Sequence, residues 1–400
     1  MSEANDSHKT PRTSVLVFEP LSGGHRWNFL AWLLEGIRSE KDSPVDFVFV
    51  IPESFIGADV TGVRYDPVSD TESAAIAADS WFKKRWRLWR LFRAKIREHN
   101  PDHILLMDLT QLEWALVLAN CGRPLSAIDF VQVPEIPGTW KRQTKYLKLW
   151  LLLMRNRFCN LFLLNGSRSA RILNCRFRKR CRFHAVPDPV WPVREIPRPR
   201  PGGGDGRIRF LYFGSISNRK GFDVLAEALC RLPPEDARNV ELVIRGKPQH
   251  PEQYRETLRR LEALDTGLNL DVHAGHLSEE DLRRCFQEAD VVLLPYRRPE
   301  YSSGVLAIAA REMRPVLGPA KGLLGRLIRT YRLGACVEME AGPLSRALSE
   351  SIQRPPCLDP LRAEIFTRRN RPERYACAIL HAVWETLDGT HCDMTTKVAS

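Results

Sequence analysis

Two blocks of alternating strand-like and helix-like segments, parted by a stretch that no regular element can contain, set the outline of this 400-residue chain. The parting stretch holds six prolines between Pro187 and Pro201, followed by Gly202-Gly203-Gly204-Asp205-Gly206. Proline removes a backbone donor and clashes inside helices, and a glycine run has no side chains to pack, so this is a linker. On either side, short apolar runs alternate with helical patterns of ten or so residues. Such alternation predicts parallel sheets covered by helices, one α/β domain per block. The expected division is a tail at 1–13, a first domain at 14–190, a linker at 191–207 and a second domain at 208–370. A helix at 371–387 and a tail at 388–400 follow.

In the first block, Ser14 to Glu19 reads as a buried strand. It runs into Gly23-Gly24-His25 and then into a helical pattern from Trp27 to Ile37. A glycine turn between a first strand and a first helix lets backbone approach a ligand, although Gly-Gly also serves plain tight turns. Further strands are expected at Asp46–Ile51, His103–Met107, Ala127–Val133, Asn160–Leu164 and Phe183–Val186. Asp108 stands directly after one of them, at the edge where open α/β sheets bind ligands; the competing reading is a helix N-cap.

Two segments of this block combine charge with aromatic residues. Trp81 to Arg97 carries eight basic residues and no acidic one, with Phe82, Trp86, Trp89 and Ile96 near helical spacing. The expectation for the aromatic stripe is packing on the sheet, with the cationic face in solvent. The alternative is an interfacial helix on an anionic membrane surface. Trp140 to Phe158, with Lys141, Arg142, Lys145 and Lys148 ahead of an apolar run, reads as a second such helix.

The net charge of +12 favours anionic partners of some kind: phosphorylated small molecules, anionic lipid or nucleic acid. No nucleic-acid-binding motif is present, which makes that partner the weakest of the three. The N-terminus lacks the apolar core of a secretory signal, and Leu149 to Met154 is far short of the about 20 residues a bilayer requires. The ten cysteines show neither CxxC nor zinc-type spacing. A cytoplasmic chain with reduced thiols is therefore expected, peripheral at the membrane if the cationic helices dock there.

The second block concentrates the chemistry. Strands are expected at Ile208–Phe213, Val240–Ile244, Leu268–His273 and Val291–Leu294. The loops after them carry Gly214-Ser215, Arg219-Lys220-Gly221, Arg245-Gly246, Gly275-His276 and Glu300-Tyr301-Ser302-Ser303-Gly304. A helix from Val305 to Met313 starts behind Gly304. Free amides and the positive end of the helix dipole make that start an anion site.

The pieces FLYFGSISNRKGFDVLAEAL, ELVIRGKP, VHAGHLSEEDLRRCFQEADVVLLPY and the following RPVLGPAKG, in that order, resemble retaining nucleotide-sugar glycosyltransferases of family 4 type. Those enzymes have two Rossmann-like domains facing across a cleft, the GT-B architecture. The resemblance covers most of residues 208–334, and the glycine turn Gly23-Gly24-His25 in the first block. It implies transfer of a sugar from a nucleoside diphosphate sugar to a glycan or lipid-linked acceptor, without a metal or other cofactor and without an enzyme nucleophile. It makes the first domain the acceptor side and the second the donor side, and the last helix a crossover back to the first domain.

By resemblance, Lys220, assisted by Arg219, meets the donor diphosphate together with Ser302, Ser303, Gly304 and Val305. Gly214, Ser215, Arg245, Gly275, His276 and Tyr301 lie toward the donor sugar or nucleotide. Gly23, Gly24, His25 and Asp108 face the acceptor, with His25 and Glu300 as further catalytic candidates. The family carries two glutamates eight residues apart. Counted back from Pro315-Val316, Ile308 stands at the second and Tyr301, beside Glu300, at the first. Ser215 occupies a position where many members have a basic residue. Two other readings stay open on these departures: a nucleotide-binding scaffold with weakened or no catalysis, and a nucleotide-sugar epimerase on the same fold.

Overall fold

The computed structural model describes residues 13–22, 26–40, 45–57, 59–177, 180–190, 206–263, 267–275 and 277–388. These fall into two compact units, one drawn from 1–134, 140–186 and 372–400, the other from 135–139 and 187–371.

The first unit holds a seven-stranded sheet of β1 (Thr13–Phe18), β2 (Val45–Pro52), β3 (Val63–Val68), β4 (His103–Leu106), β5 (Leu125–Asp129), β6 (Phe158–Leu164) and β7 (Arg182–Val186). Their order is β3-β2-β1-β4-β5-β6-β7, and every pair is parallel. The central strands are mostly apolar and buried, as coverage of both faces requires, with His103, Ser126 and Asn160 among the buried polar exceptions. β3 is an edge strand with Pro67 inside it, the place in a sheet where a missing donor is tolerated. Helix Pro372–Leu387 packs on helix Arg26–Ser39 in this same unit. A Cβ on Gly36 would lie 2.5 Å from the Ala376 Cβ, so the two helices touch through the missing side chain.

The second unit holds β8 (Ile208–Phe213), β9 (Val240–Arg245), β10 (Asn269–His273), β11 (Val291–Leu293), β12 (Val316–Pro319) and β13 (Gly334–Val337). The order is β10-β9-β8-β11-β12-β13, again all parallel. In each sheet the order reverses once, between β1 and β4 and between β8 and β11. Crevices at the carboxyl ends of strands flanking such a reversal are where open α/β sheets bind ligands.

Three sequence expectations are corrected. The helix expected over Trp140–Phe158 runs over Thr139–Arg155, and Phe158 opens β6 instead. Asn156 ends the helix and donates its side-chain N–H to the Leu116 carbonyl at 2.6 Å. β3 and the helices Asp70–Ala78 and Ser167–Phe177 were not expected.

The third correction concerns helix Trp81–His99, which packs through Leu88, Phe92 and Ile96, while Phe82 is 80% exposed and Trp86 also faces solvent. The expected stripe of Phe82, Trp86, Trp89 and Ile96 is therefore not the buried face. Buried residues recur every fourth position from Leu88, so the apolar stripe lies on a different side from the two exposed aromatics.

The expected linker residues 191–205 and the turn Gly23-Gly24-His25 lie outside the described residues. Nine cysteines among the described residues are free thiols. Among the described residues no helix is long and apolar enough to cross a membrane.

Candidate functional site

The reversal between β8 and β11 gathers most of the residues singled out in the second block. Gly214 follows β8 at φ +107°, and a Cβ there would lie 2.4 Å from the Lys220 Nζ and 3.9 Å from Val305 Cγ2. The lysine ammonium thus rests against the bare α-carbon of Gly214, beside the first turn of helix Gly304–Arg311. Lys220 is 8% exposed, and its Nζ lies 5.3 Å from the Tyr296 ring centroid. Among the described residues no carboxylate pairs with it. A nearly buried ammonium without a counter-ion is costly unless an anion joins it.

Two contacts hold this lysine in place. Gly221, at φ +72°, brings the turn after β8 against Pro295; a Cβ there would come within 1.7 Å of the Pro295 carbonyl oxygen. Arg297, from the loop after β11, donates its backbone N–H to the Arg219 carbonyl at 3.2 Å and pairs its guanidinium with Asp223. The loops after β8 and β11 are thereby fastened to each other. Arg219 itself is exposed, with its guanidinium 5.7 Å from the Tyr301 ring centroid.

The start of helix Gly304–Arg311 lacks a side-chain cap. Ser303 stands at its N-cap, but the hydroxyl donates to the Tyr296 hydroxyl at 3.2 Å and makes no cap bond. Leu306 and Ala307 amides use the Ser303 carbonyl. Among the described residues no acceptor takes the Gly304 and Val305 amides, two of the unpaired donors that a first turn always leaves. Lys220 and the Val305 side chain, far apart in sequence, therefore meet around Gly214, with Gly304 next to Val305 in the chain.

Glu300 is buried within the same loop, at 9% exposure. Eight residues before Ile308 is Glu300 itself, so the expectation of Tyr301 at the first glutamate position is off by one, and a carboxylate is present there. Ile308 is half-buried against Val305, Leu306 and the apolar cluster behind β11. Packing, rather than ligand contact, accounts for its side chain.

Other expected residues are placed less directly. Arg245, at the end of β9, is tied to β10 by a 2.6 Å ion pair with the Asp271 carboxylate and a 2.8 Å bond to its carbonyl. Gly275 follows the edge strand β10, two strands and so about 10 Å from β8. His276 and His25, with Gly23 and Gly24, lie outside the described residues. Ser215 follows Gly214 and is half-exposed. Asp108 caps helix Leu109–Leu118 by accepting from the Thr110 amide at 3.0 Å, the N-cap reading of that residue.

Five buried carboxylates escaped the sequence reading, Glu135 and Glu312 among them. Glu19, at the end of β1, is 1% exposed and accepts from the Gln111 side chain at 2.9 Å. Asp129 ends β5 and accepts from the Val131 amide; burial pushes its carboxyl up to about 7, and the Glu113 charge adds to this. Asp188 lies in the second unit against Ser302, and burial holds its carboxyl at about 6 although the Ser302 hydroxyl bond works the other way. The partners of Glu19 and Asp188 are remote in sequence, so no local pattern betrays those two. One grouping among the described residues, Asp66 with Glu98 and His99, has the ligand types of a metal site. Lys95 Nζ already lies 2.6 Å from Asp66, which explains the cluster as an ion-pair network.

Comparison with known proteins supplies a family match for the second unit, and the fold. Residues 207–353 match the family Glycosyl transferases group 1. Among solved structures, WaaG, a glycosyltransferase involved in lipopolysaccharide biosynthesis, is similar at a TM-score of 0.59 and 15% identity, over 94% of this chain and 100% of that one. HepE of Anabaena in complex with UDP and glucose gives 0.58 and 14%, over 95% and 100%. Sucrose-phosphate synthase from Thermosynechococcus elongatus gives 0.62 and 15%, also over 95% and 100%. At these identities the likeness establishes the GT-B fold. No curated protein sequence matches the chain.

Proposed function

We propose that this chain, a group 1 glycosyltransferase of GT-B fold, transfers a sugar from a nucleoside diphosphate sugar with retention of configuration. One observation carries the reading: the nearly buried Lys220 ammonium, with no carboxylate partner among the described residues, lies against Gly214 beside Val305, in the first turn of helix Gly304–Arg311, at the sheet's point of reversal. As the glycosidic bond stretches, negative charge grows on the leaving diphosphate. Positive groups already fixed around that charge lower the barrier without reorganising. The helix start takes the distal phosphate and Lys220 the charge that develops; Arg219, exposed beside Tyr301, assists. Glu300 is assigned to the sugar hydroxyls, the use for which a carboxylate in this loop is suited. Ile308 offers no hydrogen bond, so the ribose is left to other groups of the loop, Tyr301 among them.

The test is incubation with a panel of nucleoside diphosphate sugars, following nucleoside diphosphate and free sugar. Transfer gives acceptor-dependent nucleoside diphosphate release. An epimerase gives free sugar and nucleotide with no acceptor. A protein that binds UDP but releases nothing from any donor would be a scaffold, and the transferase reading would fall.

The acceptor is proposed to be membrane-proximal. Three helices of the first unit expose aromatic residues in one connected patch: Trp81 lies 6.4 Å from Trp114, and Lys148 sits 3.9 Å over Trp114. Arg85 and Arg90 stack on Trp81 and Trp86. Trp140 is 80% exposed on the third helix. Aromatic rings flanked by guanidinium and ammonium groups suit the headgroup level of an anionic bilayer. Flotation with vesicles of 30% anionic lipid is expected to carry the protein up, and neutral vesicles are not. Phe82→Ser with Trp86→Ser should lower the bound fraction about tenfold, since each ring contributes on the order of 1 kcal/mol or more. Equal flotation on both vesicle types would remove the membrane from the proposal.

A further inference from the structure

The residue that sets the shape of the donor loop lies outside that loop. Asp188, from the segment Pro187–Val190, is 6% exposed, and its carboxylate accepts the Ser302 hydroxyl. Ser302 is two residues ahead of the Gly304 amide. The Asp188 amide donates to the Asn370 side chain at 2.9 Å, and the Val190 amide donates to the Asn370 carbonyl at 2.9 Å. Asn370 is fully buried and anchored by its own side-chain N–H to the Phe366 carbonyl at 2.8 Å. Pro187 begins the second unit and Arg371 ends it, so Asp188 and Asn370 belong to the segments by which the chain enters and leaves it.

Between two prolines and with its side chain buried, position 188 would be packed more cheaply by an apolar residue. The carboxylate is therefore explained by the bond it makes. That bond reaches a loop whose neighbouring serine, Ser303, spends its hydroxyl on Tyr296 and leaves the helix start uncapped. We propose that Asp188 is a positioning residue for the donor diphosphate site: through Ser302 it holds the turn that presents the Gly304 and Val305 amides, and through Asn370 it ties that turn to the unit's entry and exit segments. The placement of Asp188 rests on the geometry above; its use in catalysis rests on the transferase reading.

The experiment compares the full chain with Asp188→Ala, Asp188→Asn and Ser302→Ala by amide hydrogen exchange over residues 299–306, and by calorimetric binding of UDP. Loss of a hydrogen bond to a charged group predicts about tenfold faster exchange in 299–306 for Asp188→Ala and for Ser302→Ala, with 222–229 unchanged. UDP affinity falls by about the same factor. Asp188→Asn, which still offers an acceptor oxygen, restores both. Should Asp188→Ala not fold, Ser302→Ala tests the same bond from its other, less buried end. Unchanged exchange in 299–306 for Ser302→Ala, or for a folded Asp188→Ala, overturns the proposal. Wild-type protein that fails to bind UDP, GDP or ADP would instead sink the donor reading, while the exchange comparison would still decide the role of Asp188.

Discussion

Lys220→Ala is expected to lower turnover about 10²–10³-fold, the loss seen when one preorganised donor to a developing charge is removed. The thermal midpoint should shift by no more than a few degrees. Among the described residues the ammonium has no carboxylate partner, so its removal leaves no orphaned charge there; what is lost is the approach of the ammonium to the Tyr296 ring. Affinity for the intact donor should fall less than turnover, because the charge Lys220 meets is largest in the transition state. Lys220→Arg should rescue little. The Nζ already lies where a Cβ on Gly214 would be only 2.4 Å away, and a planar guanidinium is too wide for that position. Steady-state rates, with circular dichroism as the check on folding, decide the matter. A folded Lys220→Ala protein with the wild-type rate would mean that the convergence on Gly214 is not the catalytic centre.

The second unit was legible because each of its signals is local. Apolar runs end in Gly-rich loops, the loops open helices, and the strand-to-helix spacing leaves few topologies. The approach of Lys220 to Val305 across Gly214 follows physically from β8 and β11 being neighbours, which no spacing in the sequence states. The first unit was legible in its central strands and less so at its margins. The helix Asp70–Ala78 announces itself in Ser69 followed by Glu72, and the Ser69 hydroxyl does accept the Glu72 amide, yet Ile76 is its one large apolar side chain, so no helical stripe showed. In helix Trp81–His99 the period was readable but the phase was not. Two apolar stripes compete there, and only the tertiary fold decides that Leu88, Phe92 and Ile96 go in while Phe82 and Trp86 stay out. Buried carboxylates are the least legible class. Glu19 is explained by Gln111, 92 residues away, and Asp188 by Ser302 and Asn370.

Gly221→Ala is expected to destabilise the second unit by about 3 kcal/mol or more, and to abolish UDP binding in whatever folded protein remains. Two effects add. An alanine in the left-handed region costs about 1–2 kcal/mol. Its methyl would then sit 1.7 Å from the Pro295 carbonyl oxygen, so the loop after β11 must move, and forced overpacking of this kind costs about 1–3 kcal/mol more. Gly122→Ala separates the two effects. Gly122 has φ +81°, close to the +72° of Gly221, but nothing lies within 4 Å of its missing Cβ. It should therefore show the backbone cost alone. Denaturant titrations of both variants give the difference directly, and that difference is the cost of pushing the Lys220 turn off the loop that carries the helix start. Equal destabilisation at the two glycines would mean that Pro295 yields freely, and the close approach at Gly221 would then not be what holds Lys220 against Gly214.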